Sequence, residues 1–574
     1  PGVRRLVLGR LREFIAADRE RAAKTGFPPP QVYDISQNDN HWMCQCPDCA
    51  AMSEREGSES GPVIDFINAI ADGIRPDHPD LFVQTFAYSI TEKPPKTLRP
   101  RDNVIIRIAE LNAEWGRESD LFHPITHKTN RAQLERLQGW ARIARNIAEW
   151  DYWIQYSPND KFPTPYAPIA CIPPDLATFH RHGVRTVYVE CEEPERTSFY
   201  ALKRWLGFQL LQDPQRPAEP LLQTFFTGYY GPAAAKMREY LAFMQDSIAA
   251  VDANMSAMKN YARPYLTLPF YLTCEQLLDE AEVLAASDTK ALLHVRRERI
   301  PVDAGLFHTW ADLTRNLPAD QKLPLDREAL LKRYEAYRLE QMAAFRTPEG
   351  LKKGQPQIAE EVAKMREFIL LEQKKQQPPP RVRVPKASDA SAEGDPSKAD
   401  WSRAVELAAW LTVEGYSTDQ KVKGHLLHDG SHLYVRLEHL CDGAKLTSAE
   451  QVWSGDDWEL FFAAKRGQPP YRQLALSPRG ETIAYDWADL IGKCKPKDWP
   501  SGARVVSRPQ PDRWTVLISI PLDTLAPGGV KSGGKLYANF YRMIPSPSRT
   551  LLAWSPNFDA TFHVLTRLAE LSLE

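Results

Sequence analysis

The sequence predicts an α/β protein that comprises the later part of a (β/α)8 TIM-type barrel, a helical region and a C-terminal all-β sandwich. Three observations carry that prediction. From residue 1 to about 215, apolar β-rich runs alternate with helical patterns. From 216 to 373, apolar residues recur at spacings of three and four opposite charged faces. Beyond a stretch poor in apolar side chains, short alternating runs are separated by Gly, Pro, Asp and Ser.

In chain order, the helix-like "VRRLVLGRLREFIAADRERAAK" comes first. The candidate strands are "QVYDIS", "LFVQTFAYS", "NVIIRIAE", "WDYWIQYS" and "VRTVYVEC". Between them lie the amphipathic "GPVIDFINAIADGI" and "RAQLERLQGWARIARNIA", and a Pro-rich crossover, "PIACIPPDLATFHRHG". Five strands are too few to close an eight-stranded barrel, so about three βα units are expected before residue 1. The first residues lack the basic and apolar regions of a signal peptide, so either such a leader has been removed or more protein precedes them.

The expected domains are the barrel over 1–215, the helical region over 216–373, a Pro/Ser/Ala-rich linker over 374–397 and the sandwich over 398–574. The helical region contains "PAAAKMREYLAFMQDSIAAV", "TCEQLLDEAEVLAAS", "REALLKRYEAYRLEQMAAF" and "IAEEVAKMREFILLEQKK". The sandwich runs include "HLYVRLEH", "DWELFFAA", "YRQLALSP", "RWTVLISIP" and "KLYANFYRM".

Composition narrows the function classes. With 574 residues, 43% apolar and 25% charged, the chain has the make-up of an ordinary soluble multidomain protein. No run approaches the roughly 18 apolar residues of a membrane span. A net charge of −2 gives no electrostatic footprint for nucleic acid or an anionic membrane, so small neutral or mixed partners fit better. The 15 Trp and 21 Tyr suit bulky cores or sugar-stacking platforms.

In a βα barrel the residues behind each strand converge on one mouth. Here they are Asn38 and Asp39, then Tyr88, Glu110, Tyr156 and Glu190, with Asn40, Trp115 and His123 in the same loops. Cleaving a glycosidic bond needs a protonated carboxyl for the leaving oxygen and a second group for the oxocarbenium-like centre. Asp39 with Glu110 or Glu190 supplies that pair, and Asn38, Asn40, Tyr88, Trp115, His123 and Tyr156 are the substrate-binding candidates. Acids behind strands also serve simply as helix caps. His123 can equally satisfy a loop backbone, and His127 reads as structural.

Cys44, Cys46 and Cys49 are spaced closely enough for three thiolates to meet one Zn²⁺, with His41 or a distant Cys191 completing the set. A disulfide, or reduced thiols bracing the loop behind Asp39, fits the same spacing, and a catalytic thiol is disfavoured. In the sandwich, Trp453 and Glu459 of "VWSGDDWELFF" place an aromatic face beside a carboxylate, as sugar sites do. Trp554 is a candidate opposing face, although either indole can equally pack inside.

The motifs "NDNHWMCQCPDCAAM", "VIDFINAIADGI", "FAYSITEKPPKTLRPRDNVIIRI", "HPI", "WDYWIQY", "LKRWLGFQLLQDP" and "FFTGYYGPAAAKMREYL" resemble, in that order, a large bacterial family. It includes endo-β-N-acetylglucosaminidases acting on complex N-glycans and is distantly similar to α-glucuronidases and β-hexosaminidases. The resemblance covers roughly residues 1–250. It implies a (β/α)8 barrel preceded by a small α/β domain, with Asp39 of "SQNDN" as general acid after the fourth barrel strand and Asn38 orienting the substrate. It also implies a nucleophilic substrate 2-acetamido group, oriented or polarised by Glu190 or Glu110. The sequence departs from the family near "VYVECEEPERTSF", where members carry a Gly-containing loop.

Residues 398–574 resemble family-nine carbohydrate-binding modules through "HLYVRLEHLCD", "VWSGDDWELFF", "YRQLALSPRG", "WTVLISIPLDTL", "YANFYRM" and "WSPNFDATFHV". That resemblance implies a Trp pair clamping a terminal sugar, with Trp453 and Glu459 at the matching spacing and Trp554 as second plate. The Asn expected just before the second Trp is not at its usual offset; Asn539 and Arg542 lie on the preceding strand. A loop Ca²⁺ is compatible with it.

The expectation is therefore a secreted, periplasmic or cell-surface glycoside hydrolase acting on N-acetylhexosamine- or uronate-containing glycans. Carboxyl acid catalysis requires no cofactor, and any Zn²⁺ or Ca²⁺ would be structural. The alternative is a non-catalytic glycan-binding surface protein on a degenerate barrel. A third reading is a zinc-dependent hydrolase built on the cysteine run.

Overall fold

The computed structural model describes residues 2–40, 42–112, 120–154, 165–191, 197–251, 263–315, 317, 323, 325–387, 392–546 and 549–574, with the side chains of 110–112 left aside. The chain divides into two compact units, Pro1–Val362 and Ala363–Glu574.

The first unit is built on strands β1 (Val32–Asp34), β2 (Phe82–Ser89), β3 (Val104–Asn112), β4 (Asn146–Tyr152) and β5 (Val184–Glu190). All pair in parallel and in sequence order, forming a curled half-barrel, not a closed one. Among the described residues β1 and β5 each have one neighbour, and Tyr188 on β5 remains 48% exposed.

Parallel strands require crossovers, and helices provide most of them. Helices α1 (Gly2–Thr25), α2 (Pro47–Glu56), α3 (Ser60–Ile74), α4 (Arg131–Ala141) and α5 (Ile172–Arg181) belong to this half. Val83, Ile106 and Ile147 join Ile67, Trp140 and Phe179 of the helices in one core. The crossover from β2 to β3 is instead a Pro-rich loop, "EKPPKTLRP", whose prolines forbid a helix. Buried Glu56 pins it by accepting from Thr97 N at 2.7 Å, Thr97 Oγ1 at 2.6 Å and Leu98 N at 3.1 Å. Burial pushes this carboxyl up, but the Thr97 and Leu98 donors outweigh it and bring it down to about 2.

The face of the sheet away from the helices carries an aromatic layer. Phe86 and Trp150 lie 5.3 Å apart, Trp150 and Tyr188 4.2 Å, and the Arg107 guanidinium sits over both Phe86 and Trp150. Asp34 accepts from Gln84 Nε2 at 2.6 Å and pairs with Arg107 at 3.5 Å.

Helices α6 (Tyr200–Gln212), α7 (Ala218–Tyr230), α8 (Ala234–Ala249), α9 (Leu268–Ala285), α10 (Thr289–Thr314) and α11 (Arg327–Phe345) share the core of the sheet, so the expected barrel and helical regions form one body. Arg299 of α10 bonds Glu275 of α9 at 2.9 Å, and Arg333 of α11 bonds Glu275 at 2.7 Å and also Asp303. Removing one member of such a buried set would leave an uncompensated charge. No described helix is long and apolar enough to cross a membrane.

The unit boundary falls within helix α12 (Pro348–Gln376), and the second unit contains two β-sheets. One is formed by β7 (Val405–Leu407), β9 (Lys421–His428), β10 (His432–Leu440), β15 (Arg504–Gln510) and β16 (Arg513–Pro521). The other contains β8 (Leu411–Thr412), β11 (Asp457–Ala463), β12 (Tyr471–Leu476), β13 (Thr482–Trp487), β14 (Lys497–Asp498), β17 (Lys535–Ile544) and β18 (Thr550–Ala553). Leu433, Val435 and Ile518 of the first sheet meet Trp458, Leu460 and Phe540 of the second in a shared core.

The expected linker is partly incorporated into this unit. Strand β6 (Arg381–Val384) pairs in parallel with β19 (Ala569–Leu573), and Gly394 O accepts from Ser519 Oγ at 2.6 Å. Composition misleads here because backbone pairing recruits a stretch that has few apolar side chains.

One close approach ties the helices to the carboxyl end of β4. A Cβ on Gly207 of α6 would stand 2.2 Å from the Trp153 ring. Gly207→Ala is therefore expected to cost about 1–3 kcal/mol through overpacking. Denaturant unfolding of the variant checks this, and wild-type stability would show that the ring moves freely.

Candidate functional site

At the carboxyl edge of the half-barrel, β1 leads into an extended loop held by Gln37, whose Nε2 donates to Tyr88 O at 2.9 Å and whose Oε1 accepts from Thr91 Oγ1 at 2.9 Å. This anchor brings Asp39 to the end of β2. The Tyr88 hydroxyl donates to Asp39 Oδ1 at 3.0 Å. Burial, then the Asp39 bond and charge, and then the charge of Glu190 at the end of β5 push the Tyr88 phenol up to about 12. Asp39, Tyr88 and Glu190 thus share one electrostatic neighbourhood at one edge of the sheet.

Asn38 and Asp39 are exposed and Asn40 half-buried, its Oδ1 accepting from Trp42 N at 2.9 Å. Trp42 is 87% exposed beside them, an aromatic surface the sequence reading did not single out. Glu190 also lines a cavity of about 470 Å³ with Trp153, Tyr188, Tyr200, Arg204 and Phe208. Glu110 lies on β3 with its side chain outside the described residues, as are His41, Trp115 and Tyr156 altogether.

His123 belongs to a different place. Its Nδ1 lies 2.6 Å from Oδ2 of buried Asp120, and its ring stacks on His127 at 4.0 Å. With Asp120 and Asp151 it lines a separate cavity of about 20 Å³, whose lining includes neither Asp39, Tyr88 nor Glu190. The ligand atoms of Asp120, His123 and His127 lie within 4.8 Å of one another, as do the thiols of Cys44, Cys46 and Cys49.

Asp151 was missed by a reading that looked only behind the strands. It sits inside β4, buried, accepting from Trp153 Nε1 and Tyr152 N at 2.8 Å each. Burial drives its carboxyl up to about 6 against the pull of those two donors.

In the second unit, alternation along β11 sends Trp458 and Leu460 into the inter-sheet core and Asp457 and Glu459 to the opposite face. Glu459 accepts from Gln473 Nε2 at 2.6 Å, and Gln473 Oε1 accepts from Trp487 Nε1 at 2.9 Å. Tyr485, cross-strand from Gln473, lies 6.2 Å from the ring of Trp453, which is 37% exposed. Burial raises Glu459 to about 7, with the Gln473 bond and Arg549 pulling down. Burial and then the Glu459 charge raise Asp457 to about 9. Neither Asp457 oxygen has a hydrogen-bond partner among the described residues.

Trp554 is not an opposing plate. It is 5% exposed and packs in the inter-sheet core, 5.9 Å from Phe540. The cause is parity: Trp554 follows Leu552 by two residues and turns inward with it. Asn539 and Arg542 are likewise committed internally, to Ser555 O at 2.6 Å and to Asp456.

With this geometry established, comparison with known proteins adds the following. Residues 21–242 match the family described as Domain of unknown function (DUF4838). No curated protein matches the chain. Among solved structures, the family 9 carbohydrate-binding module (CBM9) of Caldicellulosiruptor kristjanssonii aligns in its glucose complex at 16% identity, over 34% of this chain and 95% of that one, with a TM-score of 0.26. Its cellotriose complex aligns at 17% identity over 34% and 93%, with the same TM-score. A candidate carbohydrate-binding protein of Bacteroides uniformis aligns at 18% identity over 34% and 99%, with a TM-score of 0.28.

Asp151 generates a pH prediction. Its folded value lies above that of an unfolded Asp, about 3.9, so its neutral form stabilises the fold below that pH and the contribution is lost as pH rises through about 6. Asp151→Asn should remove a decline of about 3 kcal/mol between these limits. Denaturant titrations of wild type and variant at a series of pH values measure it, and parallel curves would contradict the assignment.

Proposed function

We propose that the chain is a carbohydrate-active protein whose first unit cleaves a glycosidic bond and whose second unit holds sugar. The supporting observation is the meeting of Asp39, Tyr88 and Glu190 at the strand ends of a parallel sheet. Tyr88 occupies Asp39 Oδ1, leaving Oδ2 to carry the proton to the leaving oxygen. Glu190 polarises the 2-acetamido group of an N-acetylhexosamine, which attacks the anomeric carbon in place of a protein nucleophile. Trp42 offers a sugar-stacking surface beside the acid.

Within this reading the sheet is the later part of a (β/α)8 barrel of the endo-β-N-acetylglucosaminidase type. The substrate is an N-acetylhexosamine- or uronate-containing glycan, and the protein works outside the cytoplasm. In the second unit, Trp453 and Tyr485 form an aromatic face, with Glu459 and the buried Asp457 behind it as hydrogen-bonding groups for hydroxyls.

A second reading is a glycan-binding surface protein without chemistry, favoured by the exposure of Asn38 and Asp39 beside the open Trp42 ring. Product analysis separates the two: captured glycan with no cleavage product supports binding alone.

Screening a glycan library with the full chain tests the proposal by mass spectrometry of products. Asp39→Asn should lower turnover by about 10²–10⁴-fold with the fold intact, and turnover equal to wild type would remove Asp39 from the mechanism. In the second unit, Trp453→Ala is expected to weaken glycan retention at least tenfold while leaving turnover of a small aryl glycoside unchanged. Calorimetry on the full chain reads the first effect, and undiminished affinity would exclude that face.

A further inference from the structure

Cys44, Cys46 and Cys49 bring their Sγ atoms within 4.8 Å of one another. Among the described residues no other cysteines gather in this way; Cys171 and Cys274 are buried at separate places, and Cys191, Cys441 and Cys494 are half-buried elsewhere along the chain. Local backbone geometry explains the convergence. Cys46 occupies the N-cap of α2 in an extended conformation (φ −66°, ψ 154°), Pro47 opens the helix, and Ala50 N donates to Cys46 O at 3.0 Å. Cys49 in the first turn therefore lies one turn beyond Cys46, and Cys44, two residues before Cys46, brings its sulfur to the same cluster.

Packing does not account for these residue types: Cys44 and Cys46 are exposed, whereas an unligated cysteine is ordinarily among the most buried residues. At position 46 a Ser, Thr, Asp or Asn is the usual helix cap, whereas here the backbone amides of Asp48 and Cys49 turn to the Cys46 sulfur. What three neighbouring thiols do offer is a soft donor set that suits a d¹⁰ cation.

We propose that Cys44, Cys46 and Cys49 form a Zn²⁺ site. Binding joins three sulfurs to the ion and releases their protons to solvent, with no change of oxidation state. Its consequence is mechanical: the loop carrying Asp39 and Trp42 becomes cross-linked to the start of α2. The inference rests on thiol geometry alone and stands whether or not the first unit is a hydrolase.

The test uses the full chain, reduced and stripped of metal, titrated with zinc chloride against a chromophoric chelator and separately with Co²⁺. One equivalent of zinc per chain and a thiolate-to-cobalt charge-transfer band are expected. Cys46→Ser and Cys49→Ser should each weaken zinc binding at least tenfold, while Cys441→Ser binds as wild type does. Should either variant fail to fold by circular dichroism, Cys44→Ala, at an exposed position, takes its place with the same expectation. No zinc uptake by the reduced wild type, or unchanged uptake by the folded variants, overturns the proposal, including the case in which the thiols are found paired in a disulfide.

Discussion

Parallel pairing obliges every strand of the first unit to end at the same edge of its sheet. The catalytic reading of that unit depends on this constraint, because residues from 39 to 190 meet only through it. Helices cover one face and build the core; the other face carries Phe86, Arg107, Trp150 and Tyr188. The loops at the carboxyl edge are then free to hold polar groups, and Gln37 and Glu56 show how individual side chains fasten them where Pro-rich sequence prevents regular structure.

Two of the buried clusters handle acid differently. In the first, Arg299 and Arg333 accompany the carboxylates of Glu275 and Asp303, and the charges are compensated by ion pairs. On the outward face of β11, Asp457 and Glu459 stand two residues apart, and the Gln473 amide links Glu459 to the Trp487 indole. A carboxyl kept neutral near pH 7 can donate as well as accept, which suits a face meant for hydroxyl groups.

How much of this the sequence discloses varies with the physics involved. Four of the parallel strands and the sandwich strands β10, β11, β12, β16 and β17 are legible, since each repeats its apolar residues at the period its environment imposes; β4 is displaced, because its first residues, Asn146–Ala148, extend the run that reads as a helix. Helix α10 is not: "HVRRERIPVD" buries Arg299 and Asp303 in ion pairs and includes Pro301, so its 26 residues present no clean apolar stripe. Strand-end logic finds Asp39, Tyr88 and Glu190, because backbone polarity alone places them. It passes over Asp151, which lies within a strand and whose unusual environment comes from Trp153 and the helix layer. At Trp554 family spacing points to a second plate, and the two-residue alternation turns it inward, the packing alternative that the sequence leaves open.

The contact between Gly207 and Trp153 reaches beyond the two residues themselves. The same indole that leaves no room for a methyl group on α6 gives its N–H to Asp151. Related sequences that have exchanged the glycine for a larger residue should have traded the tryptophan for something smaller, and with it the carboxyl's donor. Three positions scattered over some sixty residues are thereby bound into one inherited unit, expected to change together or not at all.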